Sequence, residues 1–266
     1  MDLKLTGKRA MVTGGSRGIG KAIARALLDE GVRVVISGRD AEVAEAAAAE
    51  LAQATGGEVH ALLADTRDDA AVDALVAQAV DLLGGLDIVV NNAARPGSPP
   101  QAPGVAGVTS ETLLDELDTK LVGYLRVARA AAPHLVANGW GRIVNISGLA
   151  ARSAGSITGS TRNVAVAALT KNLADELGPK GVNVTVVHPG ATRTEKTADA
   201  VARKAAADGS STQEAEKALY GGSLIGRIVE AEEVADVVTF LASPRSVAIN
   251  GDAIAAGGGA ARVIHY

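Results

Sequence analysis

The 266-residue sequence contains no cysteine. That excludes disulfides, thiolate metal sites, iron–sulfur clusters and cysteine nucleophiles. Aromatics are scarce: Tyr124, Tyr220, Tyr266, Trp140 and Phe240 are the full set. They are too few for a stacking platform for single-stranded nucleic acid. His60, His134, His188 and His265 show no paired-ligand spacing, so no metal is expected. Basic residues form no run, and the net charge is −4, so nucleic acid is not an expected partner. No apolar stretch reaches the roughly 18 residues of a membrane span, and residues 1–9 lack the apolar core of a signal peptide. These absences leave a soluble cytoplasmic protein as the expectation.

What is present is alternation. Short apolar runs at 9–13, 33–37, 59–63, 86–90, 142–146 and 182–187 are separated by Ala-rich stretches of helical pattern at 21–30, 41–54, 69–83, 111–137 and 164–177. The runs do not alternate apolar with polar, which predicts strands covered on both faces, as in a parallel sheet between helix layers. Gly56 and Gly84 fall just past two of the helices, where glycine adopts the left-handed C-cap conformation. Residues 95–108 are rich in Pro and Gly and read as a loop. No internal repeat or interdomain linker interrupts the pattern, so residues 1–266 read as one domain.

The first predicted strand runs straight into Thr13-Gly14-Gly15-Ser16-Arg17-Gly18-Ile19-Gly20, and a helix follows. Glycines there permit a tight turn and close backbone approach. The helix N-terminus offers unpaired N–H groups to a pyrophosphate. The candidate cofactor contacts are therefore Gly14, Ser16, Arg17, Gly18, Ile19 and Gly20. The second strand ends in Ser37-Gly38-Arg39, with arginine where a site for NAD places an acidic residue. Arg39, with Arg17 as a second cation, suits a 2′-phosphate, so NADP (NADPH) is expected in preference to NAD.

These motifs, in this order, resemble those of the short-chain dehydrogenases/reductases. Beyond the glycine turn, Asn91-Asn92-Ala93-Ala94 is similar to the family's N-N-A-G element. Asp65 is similar to its adenine-contacting Asp, and Pro189-Gly190 followed by Thr194 to its nicotinamide-side segment. Arg227 and Gly251 to Gly258 resemble its C-terminal pattern, so the likeness spans about residues 5–260. It implies a single Rossmann-fold domain with a doubly wound, seven-stranded parallel sheet, cofactor contacts from Asp65, Asn91, Ala93, Asn163, Pro189, Gly190 and Thr194, and a substrate lid at about 192–222. It also implies a homotetramer or homodimer.

The resemblance breaks at the residues the family uses for proton transfer. Its catalytic Tyr and Lys, spaced Y-x-x-x-K, register with Gly159 and Asn163, and no tyrosine occurs between Leu125 and Leu219. Gly148 stands in the position of the family's catalytic serine, with Ser147 one residue before it and Ser153 five after. In Lys120-Leu121-Val122-Gly123, similar to the family's N-L-x-G, Lys120 replaces the Asn. Lys120 and Ser147 are therefore the candidate catalytic residues. A lysine desolvated there has a lowered pKa and serves as an acid. Tyr124 shares a helical face with Lys120 and makes a relocated Tyr–Lys pair conceivable. His188, at a strand's C-terminal end, is a further candidate proton donor, and Arg162, just before the predicted helix body, a candidate anion contact. Ser160 and Thr161 flank the vacated tyrosine position with no base beside them. Arg193, Glu195 and Lys196 open the lid without an assignable partner. Three readings stay open: an NADP-dependent oxidoreductase of small carbonyls and alcohols with an atypical active site, a non-catalytic NADP(H)-binding protein, and a lyase or isomerase reusing the pocket.

Overall fold

Apolar runs without alternation require cover on both faces, and they have it in the computed structural model, which describes residues 1–94 and 104–259. Strands β1 (Arg9–Thr13), β2 (Arg33–Gly38), β3 (Val59–Leu63), β4 (Ile88–Asn91), β5 (Gly141–Ile146), β6 (Val182–Pro189) and β9 (Ala253–Ala256) form one parallel sheet in the order β3-β2-β1-β4-β5-β6-β9. The central strands β4 and β5 are buried along their whole length. β1 pairs residue for residue with β2 from Arg9↔Arg33, and with β4 from Ala10↔Ile88. Chain order reverses between β1 and β4. That switch point opens a crevice at the C-terminal ends of the strands, where open α/β sheets bind ligands.

Local signals set the helices between the strands. Asp40 caps α2 (Ala41–Thr55) by accepting from the Val43 amide, and Asp68 caps α3 (Asp69–Leu83) by accepting from Ala71. Gly56 and Gly84 end those helices with φ of 68° and 70°, the left-handed C-caps expected of them. α1 (Gly18–Asp29) and α2 cover one face of the sheet together with α9 (Ala231–Ala242). α3, α5 (Gly123–Ala137) and α6 (Ile157–Leu177) cover the other. Alanine and valine at the contacts replace the bulk that aromatics usually supply, and the two buried clusters are close-packed aliphatic layers. No helix among the described residues is long and apolar enough to cross a membrane.

Two helix expectations are corrected. The stretch at 111–137 is not one helix: α4 (Ser110–Leu117) passes through a wider π turn at Asp118–Val122 before α5 begins. The stretch at 164–177 starts seven residues earlier, because Ser156 caps α6 by accepting from the Gly159 amide at 3.0 Å. Its polar, β-branched first two turns resemble loop composition. Arg162 therefore lies within α6 and not before it.

The segment expected as a lid begins with β7 (Thr192–Arg193), which pairs in parallel with β8 (Val229–Glu230). It continues as α7 (Thr197–Asp208) and α8 (Thr212–Tyr220). Of the loop expected at 95–108, residues 95–103 lie outside the described residues, as does Tyr266.

Candidate active site

The turn between β1 and α1 is a main-chain surface. Gly14 has φ +63°, and a side chain on it would lie 2.9 Å from the Ala93 Cα. A Cβ on Gly20 would lie 2.2 Å from the Gly14 carbonyl oxygen and 2.4 Å from Asn92 Nδ2. These positions admit glycine alone. Asn92 fastens the turn by donating from Nδ2 to the carbonyls of Thr13 and Gly14 at 3.1 and 3.0 Å. Thr13 Oγ1 accepts from the Asn92 and Ala93 amides at 3.0 and 3.1 Å. No side chain of Arg17, the residue preceding α1, caps its first turn. A helix N-terminus without a local side-chain cap, with glycine on its approach, fits the pyrophosphate of a dinucleotide.

Ser16 faces the end of β2, its Oγ 3.4 Å from the place a Gly38 side chain would take. Arg17 and Arg39 are exposed on these two adjoining segments, and neither forms an ion pair among the described residues. Asp65, after β3, lies near the Arg39 charge. Its main partner is Arg67, whose Nη2 donates to it at 2.6 Å and whose Nε donates to both of its carboxylate oxygens. Arg67 and, more weakly, Arg39 hold its pKa down at about 2. Arg67 escaped the sequence reading.

The segment after β6 reaches this turn. Both carboxylate oxygens of Glu195 accept from the Gly18 amide, at 3.0 and 3.1 Å. The Thr194 methyl is 3.2 Å from where a Gly18 side chain would be, and the Thr194 amide donates to Thr197 Oγ1. Arg193 pairs with Glu216 and Glu230. Two of the three lid residues left without partners thus acquire them across long sequence separations. Pro189 is buried at the end of β6, and a side chain on Gly190 would lie 2.8 Å from the Gly257 Cα.

On the other side of the switch point the site is made of side chains. The π turn aims Lys120 and Tyr124 inward at the end of β5. Lys120 Nζ donates to the Ser147 carbonyl at 2.9 Å, and Tyr124 Oη to the Ile146 carbonyl at 2.9 Å. The lysine is 6% exposed. Burial, reinforced by the Arg162 charge and opposed by Glu116, lowers its pKa to about 7. The Tyr124 phenol is pushed upward by complete burial and its proton is held by a main-chain carbonyl. A relocated Tyr–Lys acid pair is thereby corrected: the two groups are neighbours, but only the lysine titrates near neutrality.

Ser147 and Asn163 lie together. Ser147 Oγ donates to the Asn163 carbonyl at 3.0 Å and to its Oδ1 at 3.2 Å. Asn163 is 3% exposed, and its Nδ2 is 3.1 Å from where a Gly148 side chain would be. Behind them runs a buried relay: Asn91 Nδ2 donates to Asn145 Oδ1, and Asn145 Nδ2 to Thr170 Oγ1, each at 2.9 Å. Asn145 and Thr170 gave no sequence signal, being single polar residues in apolar elements. His188 is fully buried, and burial with the nearby Arg152 and Lys120 charges lowers its pKa to about 4. It is neutral at pH 7. Ser160 Oγ is spent on the Ser153 and Ser156 carbonyls. Ser153 is exposed.

A cavity of about 340 Å³ adjoins Gly159, between α4 and the start of α6. Among the described residues no three His, Asp or Glu side chains are grouped to hold a metal.

Residues 8–205 match the sequence model of the short chain dehydrogenase family. The chain is 32% identical to a 3-oxoacyl-(acyl-carrier-protein) reductase, FabG, of Aquifex aeolicus (strain VF5), over 97% of this chain and 99% of that protein. It is 35% identical to the short-chain reductase protein NovJ of Streptomyces niveus, over 94% and 92%. Among solved structures, L-sorbose reductase from Gluconobacter frateurii, complexed with NADPH and L-sorbose, superposes with a TM-score of 0.91 at 26% identity, covering 99% of this chain and all of that one. A variant of actinorhodin polyketide ketoreductase with NADPH gives 0.87 at 33% identity, over 96% and 98%.

Proposed function

The chain belongs to the short-chain dehydrogenase family of oxidoreductases, and within it we propose an NADPH-dependent carbonyl reductase whose proton donor is Lys120. The observation that carries this reading is the Lys120 ammonium, buried at the C-terminal end of β5 and joined through Ser147 to Asn163, the residue in register with the family's lysine. Lys120 reaches that place from a different helix.

The dinucleotide is held by Gly14, Ser16, Arg17, Gly18, Ile19 and Gly20 on its pyrophosphate side, with Arg39 and Arg17 on the 2′-phosphate. Asp65 and Arg67 flank the adenine. Asn91, Ala93, Asn163, Pro189, Gly190 and Thr194 line the nicotinamide side. When bound, the nicotinamide supplies the hydride. NADPH in the solved relatives and the exposed Arg17 and Arg39, in no ion pair among the described residues, support NADP over NAD. Ser147 is a positioning residue: its carbonyl orients Lys120 and its hydroxyl orients Asn163. Apolar Leu125 and Val164, exposed on α5 and α6, support assembly through these helices into a dimer or tetramer. Sedimentation as a monomer at micromolar concentration would refute that.

A lysine that donates its proton must be charged, so carbonyl reduction fades as pH rises through about 7, and alcohol oxidation gains. Lys120→Met should lower kcat by about 10²–10⁴-fold while NADPH still quenches protein fluorescence with unchanged affinity. Undiminished turnover in that variant removes Lys120 from the mechanism.

A further inference from the structure

Cavity and charge together say more about the substrate than the fold does. The cavity beside Gly159 is lined by Thr112 and Glu116 of α4, by Ser156 before α6, and by Thr158, Gly159 and Arg162 of α6. About 340 Å³ is the low end for small-ligand sites. Arg162 follows Gly159 by three residues on the same helix, so the two share a face one turn apart.

The Arg162 guanidinium is only partly satisfied. Nη1 donates to Glu116 Oε2, but Nε is buried with no partner. A buried guanidinium donor left unmet is costly and calls for an acceptor. The surrounding charge is also unbalanced. Lys120, from the π turn, feels Arg162 and Glu116. His188, from β6, feels Lys120 and Arg152. Among the described residues, Lys120 and Arg162 thus share the Glu116 carboxylate.

We propose that the substrate is a short-chain oxo acid whose carboxylate is bound by Arg162, with its carbonyl directed along the helix face toward Gly159 and Lys120. The proposal rests on the oxidoreductase reading for its reaction, though not for the anion site. A carboxylate supplies the missing acceptor and the missing negative charge at once, and the planar guanidinium suits it bidentately. A neutral ketone supplies neither. In the reduction, the carbonyl carbon receives the hydride and the carbonyl oxygen takes the proton from Lys120 Nζ. The products are a hydroxy acid, the oxidised dinucleotide and a neutral lysine that regains its proton from water. Glu116 competes with the substrate for Arg162 and so limits affinity.

Calorimetric titration of the full chain, with and without NADP⁺, tests this with 2-oxobutyrate and acetoacetate against their uncharged counterparts pentane-2,3-dione and pentane-2,4-dione. At least one acid should bind about tenfold or more tightly than its neutral partner, the worth of one charge-assisted contact. Glu116→Gln should tighten that acid further, by about threefold. Arg162→Met/Glu116→Gln removes both charges without stranding either and should erase the preference, with circular dichroism verifying its fold. Equal affinity for acids and diones, or a preference that survives the double variant, overturns the proposal. Turnover is scored separately: acid binding without reduction sinks the oxidoreductase reading and leaves the anion site, whereas reduction of diones alone does the reverse.

Discussion

On the β1–α1–β2 side of the cleft the working surface is main chain, shaped by what Gly14, Gly18 and Gly20 lack, and its charges stand exposed in Arg17 and Arg39. On the β5–α6 side it is side chain, with buried Lys120, Ser147 and Asn163 and half-buried Arg162 brought in from the π turn, the end of β5 and α6. A backbone surface depends on steric exclusion and tolerates almost no substitution. A side-chain site can exchange one group for another that arrives by a different route, as proposed for Lys120. The two sides should therefore fail differently when altered.

The largest expected effect tests the side-chain half. A buried lysine with pKa about 7 is unstable in its charged form, and the sign of that cost is definite. The folded pKa lies below the unfolded one, so from pH 7 to about 10.5 the unfolded chain holds a proton that the native chain has released. Stability accordingly rises with pH across that window, and the penalty is complete below pH 7. Lys120→Met, expected to be nearly inactive, should therefore be the more stable protein at pH 6, by up to about 5 kcal/mol from the shift at 1.36 kcal/mol per unit. The gain should vanish by about pH 10. Urea titrations of both proteins at pH 6 and pH 9.5 measure it, and a variant less stable at pH 6 would mean the ammonium is well solvated.

Gly20→Ala tests the backbone half. Its added methyl meets a main-chain oxygen and a hydrogen-bonded Asn92 amide, neither of which can swing aside. A cost of about 1–3 kcal/mol in stability and about 100-fold in NADPH affinity should follow, by thermal melting and fluorescence titration. A normal dissociation constant would show that this turn does not shape the site. Arg39→Ala acts on the charged rim of the same half. It should weaken NADPH by about tenfold, the scale of one charge-assisted phosphate contact, and leave NADH unchanged. Equal weakening of both would place Arg39 away from the 2′-phosphate.

The contrast also decides what could be read in advance. Glycine spacing and unbroken apolar runs are local and carry their own steric or burial meaning, so the turn at Thr13–Gly20 and six strands of the parallel sheet were legible, while the seventh, β9, came only from the resemblance. Lys120 was legible only through its register in a motif resemblance. The π turn that aims it was not, because one extra residue in a helical turn leaves no compositional trace. The start of α6 was hidden because Ser156, Thr158, Ser160 and Thr161 look like loop until the Ser156 cap is seen. The contact between Gly18 and Glu195 spans 177 residues, beyond the reach of any spacing argument.

That contact yields the smallest expected effect and the one that bears most directly on the comparison, since it is where a side chain intrudes on the backbone half. The Glu195 carboxylate accepts from the first amide of α1, the end of the helix that favours negative charge and to which a pyrophosphate is drawn. Dinucleotide binding must displace it or crowd a second anion against it. Glu195→Gln keeps the size and removes the charge, so NADPH should bind about two- to fivefold more tightly, the range for one exposed charge at a helix terminus. The gain should shrink as salt screens it. NADH carries the same pyrophosphate and should gain equally, which separates this effect from that of Arg39. Weaker binding of both dinucleotides in Glu195→Gln would instead make the carboxylate part of the closed lid, holding the turn in shape for the ligand rather than competing with it.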